Sequence, residues 1–169
     1  MPLPRYDEFG SIAPTGAWDK ATVHLFAERQ ACFTKQYSSF VAMHTLDGAD
    51  EHVNGKLTVN ENLADNGGVA LAFLAHQRYA REYRLRHGGA GAPRVIPSLS
   101  NDQLFFVAFA QNWCAKTARP MAETALHNDV HSPPEWRVKG VVMNSPAFAK
   151  AFQCRPGSPM NPTSKCKLW

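Results

Sequence analysis

The 169-residue sequence lacks any run of 18 or more apolar residues, so it predicts no helix that could span a membrane. Its first residues contain no apolar core of a secretory signal, and it has no Asn-x-Ser/Thr acceptor for N-glycosylation. It also lacks a Gly-x-Ser-x-Gly elbow, a phosphate-binding glycine loop and a dinucleotide-binding fingerprint. These absences argue against a serine hydrolase of the elbow type and against the common nucleotide-binding folds.

Neither sign of charge dominates the sequence. Lys and Arg number 18 against 14 Asp and Glu, which gives a net charge of +4 and an isoelectric point of about 9.0. The basic residues are scattered apart from one modest cluster at helical spacing: Arg78, Arg81, Arg84, Arg86 and His87. Because this cluster also contains an acid and apolar residues, we interpret it as a solvated helix face and predict no nucleic-acid partner.

The sequence has few cysteines, and their spacing excludes a zinc finger. Cys32, Cys114, Cys154 and Cys166 form no Cys-x-x-Cys pair, and no histidine lies at zinc-finger spacing from them. Their even number and wide spacing fit disulfides formed in an oxidising compartment, with three connectivities open, while four buried thiols are the alternative. A disulfide interpretation conflicts with the lack of a secretory signal, so we expect either that the true start of the chain lies elsewhere or that the chain is part of a longer protein.

Apolar periodicity and capping signals predict a mainly helical chain. After an irregular arm over residues 1–16, helices are predicted over residues 18–38, 60–87, 104–117, 120–126 and 147–152. Asn60 is the predicted N-cap of the second helix, and the close packing of a neighbouring element would explain Gly67 and Gly68 inside it. Residues 47–55 and 128–134 are predicted loops, residues 136–142 are predicted to be extended, and the tail from residue 155 is predicted to wrap as a loop.

Two acids at the start of the second predicted helix point to chemistry. Glu61 and Asp65 are four residues apart, so they share one helix face a single turn from each other. The following residues are apolar, and burying two acids on such a face costs several kcal/mol unless each has a cation, a metal or hydrogen-bond donors. Attraction to the positive end of the helix dipole explains them equally well. The functional alternative is a metal-binding carboxylate with a second carboxylate that orients a ligand histidine.

Residues 127–131 read His-Asn-Asp-Val-His and contain two histidines at the spacing of a zincin pair. The second position is Asn128 instead of the glutamate that acts as general base in such motifs. Pro133 and Pro134 follow almost directly, which favours a loop over a helix. We therefore favour a single loop histidine with a catalytic or structural hydrogen bond over a zinc site built from both.

Short motifs in a fixed order carry a resemblance to a known family. They are His52-Val53-Asn54-Gly55, Glu61-Asn62-Leu63-Ala64-Asp65, Gln103-Leu104-Phe105-Phe106, Trp113-Cys114, Asp129-Val130-His131-Ser132-Pro133-Pro134, Asn144-Ser145-Pro146, Pro159-Met160-Asn161-Pro162 and the terminal Cys166-Lys167-Leu168-Trp169. Together they resemble the C-terminal part of the neprilysin and endothelin-converting-enzyme family of zinc metalloendopeptidases. The resemblance implies a mainly α fold, the helical C-terminal portion of a thermolysin-like zincin catalytic domain.

The resemblance gives the two acids separate roles. It implies that Glu61 is the third protein ligand of a catalytic zinc ion and that Asp65 hydrogen-bonds a ligand histidine. A catalytic zinc ion takes three protein ligands and keeps an open position for water. It lowers the pKa of that water toward about 7, and a glutamate accepts the proton as the water attacks. Zinc would also provide the cation that Glu61 needs on an apolar face.

The resemblance gives four further residues roles in catalysis or substrate binding. His131 matches the histidine that stabilises the oxyanion of the tetrahedral intermediate, and Asp129 lies where it would hold the tautomer of that ring. Arg137 matches the arginine that binds a backbone carbonyl of the peptide substrate. Trp113 matches a residue of the pocket for the side chain after the scissile bond, although Asn112 replaces the usual apolar residue there.

The resemblance is incomplete at the start of the chain. The family's two zinc-binding histidines and its general-base glutamate lie in a His-Glu-x-x-His helix, and this motif is absent from the sequence. Residues 6–10 resemble the stretch that follows that helix. We therefore expect residues 1–5 to be an unmatched arm and residues 6–169 to be a partial peptidase domain. Alone, the chain should bind zinc weakly and hydrolyse no peptide, because metal affinity depends on the number of preformed ligands.

Two function hypotheses follow from the resemblance. The favoured one is a portion of a peptide-hydrolysing zinc endopeptidase that is extracellular or on the cell surface, with the N-terminal part of the parent enzyme as its partner. The alternative is a non-catalytic binding module that retains the peptidase fold. In either case we expect an exposed apolar patch where the His-Glu-x-x-His helix would pack against the helix face bearing Glu61.

The resemblance also assigns the cysteines. By the family pattern Cys32 pairs with Cys166, which this chain can form by itself. Cys114 and Cys154 would pair with cysteines of the N-terminal part, and we expect both to be free thiols in this chain.

Overall fold

The computed structural model describes residues 18–168 and is mainly helical, as the sequence predicts. The predicted arm, including residues 1–5 that we expect to be unmatched, and the last residue lie outside the described part. The elements in chain order are α1 (Lys20–Ser38), β1 (Val41–His44), β2 (Asp50–His52), α2 (Val59–Arg86), α3 (Asn101–Gln111), α4 (Arg119–Asn128), α5 (Pro134–Asn144) and α6 (Pro146–Ala151). No helix among residues 18–168 is long and apolar enough to cross a bilayer.

Side-chain caps set the helix ends more tightly than periodicity predicts. Asp19 begins α1 because its carboxylate accepts a hydrogen bond from the Thr22 backbone N–H at 2.9 Å. Ser100 and Gln103 form a capping box at the start of α3, as expected for a serine followed three residues later by a glutamine. α3 ends at Gln111 and not near residue 117, because the Asn112 amide turns back to the carbonyls of the last turn. The predicted N-cap of α2 at Asn60 is wrong, since Thr58 holds that position.

The predicted extended segment over residues 136–142 is wrong, because it forms most of α5. Pro134 at the first position of α5 fixes a helical φ and needs no hydrogen-bond donor there. Val141 and Val142 are buried in the core, and this packing decides in favour of a helix over the weak alternation of the sequence. Tertiary burial therefore overrides local β propensity here.

The predicted loop over residues 47–55 contains a strand. β1 and β2 form an antiparallel pair that joins Val41 to His52 and His44 to Asp50. Both strands are short and mostly half-buried or exposed, so they lack the apolar alternation by which strands are recognised.

Two apolar clusters form the core, and α2 contributes to both. The first contains Phe33, Tyr37, Phe40, Val53, Val59, Leu63 and Cys166, and the second contains Val69, Phe106, Val141 and Val142. Further along α2, apolar side chains face solvent: Leu71, Leu74 and Tyr79 are each more than half exposed. The first half of α2 is therefore a buried support on which a site can be built.

A disulfide joins α1 to the tail. Cys32 and Cys166 are bonded, with their Cα atoms 5.7 Å apart, as the resemblance predicts. Cys114 is an exposed free thiol and Cys154 a half-buried one, also as predicted. The bond closes a loop with a sequence separation of 134 residues, so it restricts nearly the whole described chain in the unfolded state.

Gly140 allows α5 to approach α1 closely. A Cβ atom at Gly140 would lie 2.5 Å from Tyr37 Oη and 2.6 Å from Tyr37 Cζ, and Tyr37 is fully buried. Gly68 on α2 is different, because an added Cβ meets no atom within 4 Å. The prediction that close packing explains both glycines of α2 is therefore wrong for Gly68, whereas Gly67 is buried.

We predict that the double replacement Cys32→Ala and Cys166→Ala lowers the free energy of unfolding by about 5 kcal/mol, because the unfolded chain regains the entropy of an open loop. Urea denaturation followed by circular dichroism measures the change. Cys114→Ala is the matched control and should leave the midpoint unchanged. Equal midpoints for the double variant and the control would contradict the prediction.

We also predict opposite effects of one substitution at two glycines. Gly140→Ala should lower the free energy of unfolding by about 1–3 kcal/mol, because the new methyl group overlaps the buried Tyr37 ring. Gly68→Ala should raise it by about 0.5–1 kcal/mol, because alanine has the higher helix propensity and meets no atom. Thermal and urea unfolding of both variants test this, and a stabilised Gly140→Ala variant would show that Tyr37 moves freely.

Candidate functional site

Asp65 and Arg137 form an ion pair that joins α2 to α5. Arg137 Nε and Nη2 each donate to one oxygen of the Asp65 carboxylate at 2.7 Å. The Arg137 and Asp65 side chains are only 14% and 13% exposed. This two-pronged geometry is the strongest form of such a pair, and it raises the pKa of Arg137 above its ordinary value. Asp65 therefore has a cationic partner within the chain, the Arg137 guanidinium.

Trp113 packs on the other side of the same guanidinium. Its ring lies just after the end of α3, and the Arg137 Cζ atom is 3.7 Å from the ring centroid. Guanidinium groups stack favourably on indole faces. Trp113 Nε1 is itself buried, and no group within residues 18–168 is its hydrogen-bond partner. The two residues that the resemblance assigns to substrate binding are therefore in direct contact.

The loop between α4 and α5 brings His131 to the other acid. His131 Nε2 lies 3.4 Å from Glu61 Oε2, at the first turn of α2. His131 Nδ1 lies 2.8 Å from Asp129 Oδ1, which also accepts a hydrogen bond from the His131 backbone N–H at 2.9 Å. These hydrogen bonds hold the pKa of Asp129 below its ordinary value. An acceptor at Asp129 favours the proton on Nδ1 of a neutral ring.

The contact between His131 and Glu61 calls for a positive charge. A neutral His131 with its proton on Nδ1 presents a lone pair at Nε2, and Glu61 presents a carboxylate oxygen. Two electron donors at this distance repel each other unless a proton or a cation is placed between or beside them. A protonated His131 satisfies Glu61, and a metal cation bound by Glu61 does so as well. The donor set at this point therefore fits a cation.

The described residues supply only part of a zinc site. Within residues 18–168, no group of three or more His, Cys, Asp or Glu side chains is arranged to hold a metal ion. Glu61 is 39% exposed and is the carboxylate that the resemblance assigns to zinc. A catalytic zinc ion needs two further protein ligands. The residues present therefore fit one ligand position of such a site and leave the others to groups outside the described part.

The two histidines of the motif at residues 127–131 face different partners. His127 lies in the last turn of α4, with Nε2 at 3.8 Å from Glu51 Oε2, whereas His131 is in the following loop. The favoured prediction of a single loop histidine with a hydrogen bond is consistent with this arrangement.

A shallow groove of about 700 Å³ opens beside the loop, lined by Pro120, Met121, Thr124, Ala125, Asn128, Asp129 and Val130.

Sequence reasoning missed two residues that lie beneath the site. Asn62 follows Glu61 and Ser132 follows His131, and the Ser132 hydroxyl donates to Asn62 Oδ1 at 2.7 Å. Both residues are buried. Their only signal in the sequence is that each is a polar residue directly after a candidate site residue.

Comparison with known proteins agrees with the resemblance. The chain matches the model of peptidase family M13 over residues 4–168. Neprilysin-1 of Caenorhabditis elegans is 42% identical over 167 residues, which cover 98% of this chain and 21% of that protein. Endothelin-converting enzyme 1 of Homo sapiens is 39% identical over 166 residues, which cover 97% of this chain and 20% of that protein. This chain thus spans about a fifth of the length of these curated relatives.

The fold agrees as well. The zinc metalloprotease Zmp1 of Mycobacterium tuberculosis, in its open state, superposes with a TM-score of 0.79 at 31% identity. The match covers 98% of this chain and 25% of that protein. The predicted mainly α fold of a zincin C-terminal portion is therefore confirmed. The acids of α2, the loop histidine and the arginine of α5 lie in a sequence and a fold that match from end to end, and the chain accordingly belongs to peptidase family M13.

Proposed function

We propose that this chain forms the C-terminal part of the active site of a zinc-dependent endopeptidase that hydrolyses peptides. One observation carries the proposal: the fold brings an acid of α2 and a loop histidine within 3.4 Å of each other. Asp65, one turn further along α2, accepts two hydrogen bonds from Arg137 of α5. Residues from three parts of the chain thus meet at one end of α2, where the resemblance implies metal, reacting atoms and substrate.

Each residue has a role that its geometry supports. Glu61 would bind the zinc ion, which when present activates water and polarises the scissile carbonyl. His131, oriented by Asp129 through Nδ1, would in its protonated form donate a hydrogen bond from Nε2 to the oxygen that gains charge. Arg137 uses two of its five N–H donors on Asp65, so three remain for a backbone carbonyl of the substrate.

Asp65 and Trp113 would act through Arg137. The carboxylate fixes the guanidinium in the plane of the ion pair, and the indole ring covers its face at 3.7 Å. Held in this way, the arginine loses little freedom when it binds a peptide carbonyl. The further role that the resemblance gives Asp65, a hydrogen bond to a ligand histidine, needs a histidine from the His-Glu-x-x-His segment.

We predict that a chimera in which this chain replaces the matching C-terminal part of Caenorhabditis elegans Neprilysin-1 binds zinc and cleaves a fluorogenic peptide. The 169-residue chain alone should do neither, because Glu61 supplies one ligand where a catalytic zinc ion takes three. Zinc is measured by atomic absorption and cleavage by fluorescence.

Glu61→Gln in the chimera is the matched control. It keeps the size of the side chain, removes the anionic ligand, and should abolish tight zinc binding together with cleavage. A folded, zinc-loaded chimera without activity would favour the binding-module hypothesis. Cleavage by the chain alone, sensitive to a chelator, would overturn the assignment of the metal site.

We predict that Arg137→Lys lowers kcat/KM of the chimera about tenfold, because an ammonium group cannot make the two parallel bonds to Asp65 and still direct donors at a substrate carbonyl. Arg78→Lys is the control, since Arg78 makes a single exposed bond to Glu82 and should leave kcat/KM unchanged. Steady-state kinetics decide between them. Equal values for the two variants would exclude Arg137 from substrate binding.

A further inference from the structure

A buried hydrogen bond joins the residues that follow His131 and Glu61 in the sequence. The Ser132 hydroxyl donates to Asn62 Oδ1 at 2.7 Å across 70 residues of sequence. Ser132 is 3% exposed and Asn62 is 1% exposed. On its other side the Asn62 amide donates to Thr58 Oγ1 at 2.9 Å, and Thr58 is also buried. The bond to Thr58 therefore holds the Asn62 side chain at the start of α2, independently of the bond from Ser132.

From this geometry we propose that Ser132 and Asn62 are positioning residues, which set the place of His131 relative to Glu61. Each is the neighbour in sequence of one of the two site residues. The bond between them therefore joins the loop to α2 at the point where the site residues meet. The effect on catalysis rests on the proposed function, whereas the effect on the His131 ring rests on the geometry alone.

The contact between the site residues themselves is too weak to set this distance. The His131 and Glu61 side chains are 42% and 39% exposed, and their nearest atoms are 3.4 Å apart. Exposed ion pairs contribute little because water screens them and because two side chains must be held in one geometry. A hydrogen bond between two buried groups is worth more, since breaking it leaves Asn62 Oδ1 unsatisfied away from water.

Asp129 cannot set this distance either. It binds both the ring and the backbone N–H of His131, so it fixes the ring relative to the loop that carries it. It makes no bond to α2 among those that the structure records for residues 18–168. The proline pair after Ser132 makes the chain stiff on that side. Ser132 is thus the polar group of the loop that ties it to the helix bearing Glu61.

The direct test is a nuclear magnetic resonance experiment on the 169-residue chain labelled with ¹⁵N-histidine. Ser132→Ala should move the ring nitrogen and ring proton signals of His131, assigned with a His131→Gln variant. The signals of His76 should stay in place, because that ring is held 2.9 Å from Asp102 in another part of the molecule. His131 signals that superpose on those of the unchanged chain would overturn the proposal.

The kinetic test uses the chimera described above. Ser132→Ala should lower kcat about tenfold, since a small displacement of a group that acts on the transition state is costly, and should change KM by less than about twofold. Ser145→Ala is the matched control. It removes a hydroxyl that caps α6, far from Glu61 in sequence, and should lower the melting temperature but not kcat.

A double variant separates positioning from stability. Adding Asn62→Leu to Ser132→Ala replaces both polar partners by apolar groups, which should recover much of the melting temperature that the single variant loses. The proposal requires that kcat and the His131 signals do not recover with it. Recovery of kcat in step with the melting temperature would show a merely structural role and overturn the proposal.

The two tests keep the inference separate from the proposed function. An inactive but folded chimera, with His131 signals that move in Ser132→Ala, would refute the proposed function and leave the positioning role supported. An active chimera whose kcat is unchanged by Ser132→Ala would refute the positioning role and leave the proposed function intact.

Discussion

The ion pair between Asp65 and Arg137 is the contact on which the site depends. It joins the buried half of α2 to α5 at 2.7 Å through two hydrogen bonds. Beneath it, the Asn66 amide donates to the Tyr37 hydroxyl, and burial raises the pKa of Tyr37 far above its ordinary value. The charges therefore lie on a neutral, hydrogen-bonded layer, and the approach of α5 to that layer is possible because residue 140 has no side chain.

The ion pair also gives the two acids of α2, Asp65 and Glu61, different surroundings. Asp65 is 13% exposed and each of its oxygens accepts a hydrogen bond from Arg137, so its charge is already balanced within the chain. Glu61, one turn earlier, is 39% exposed and lies 3.4 Å from the loop histidine. A metal ion gains most from a carboxylate that is not already neutralised by a guanidinium. The same helix face thus offers one acid for structure and one for a cation.

How much of the fold and of the site the sequence could predict depends on how far apart the interacting residues lie along the chain. The capping box at Ser100 and the shared face of Glu61 and Asp65 follow from spacings of three and four residues, and both were predictable. The helix at residues 134–144 was not, because burial against other elements decides it. The bond from Ser132 to Asn62 spans 70 residues, and no local pattern contains it.

The contacts around Arg137 and His131 are made between residues of this chain. Arg137 is held by Asp65 and Trp113, and His131 is held by Asp129. Ser132, the buried neighbour of His131 in sequence, donates a hydrogen bond to Asn62. None of these contacts requires a metal ion for its own geometry. The residues to which we assign contacts with the substrate can therefore be ordered before a metal ion and its other ligands are added. In the proposed function such preorganisation would reduce the cost of assembling the complete site, because these side chains would not have to be ordered again during a reaction.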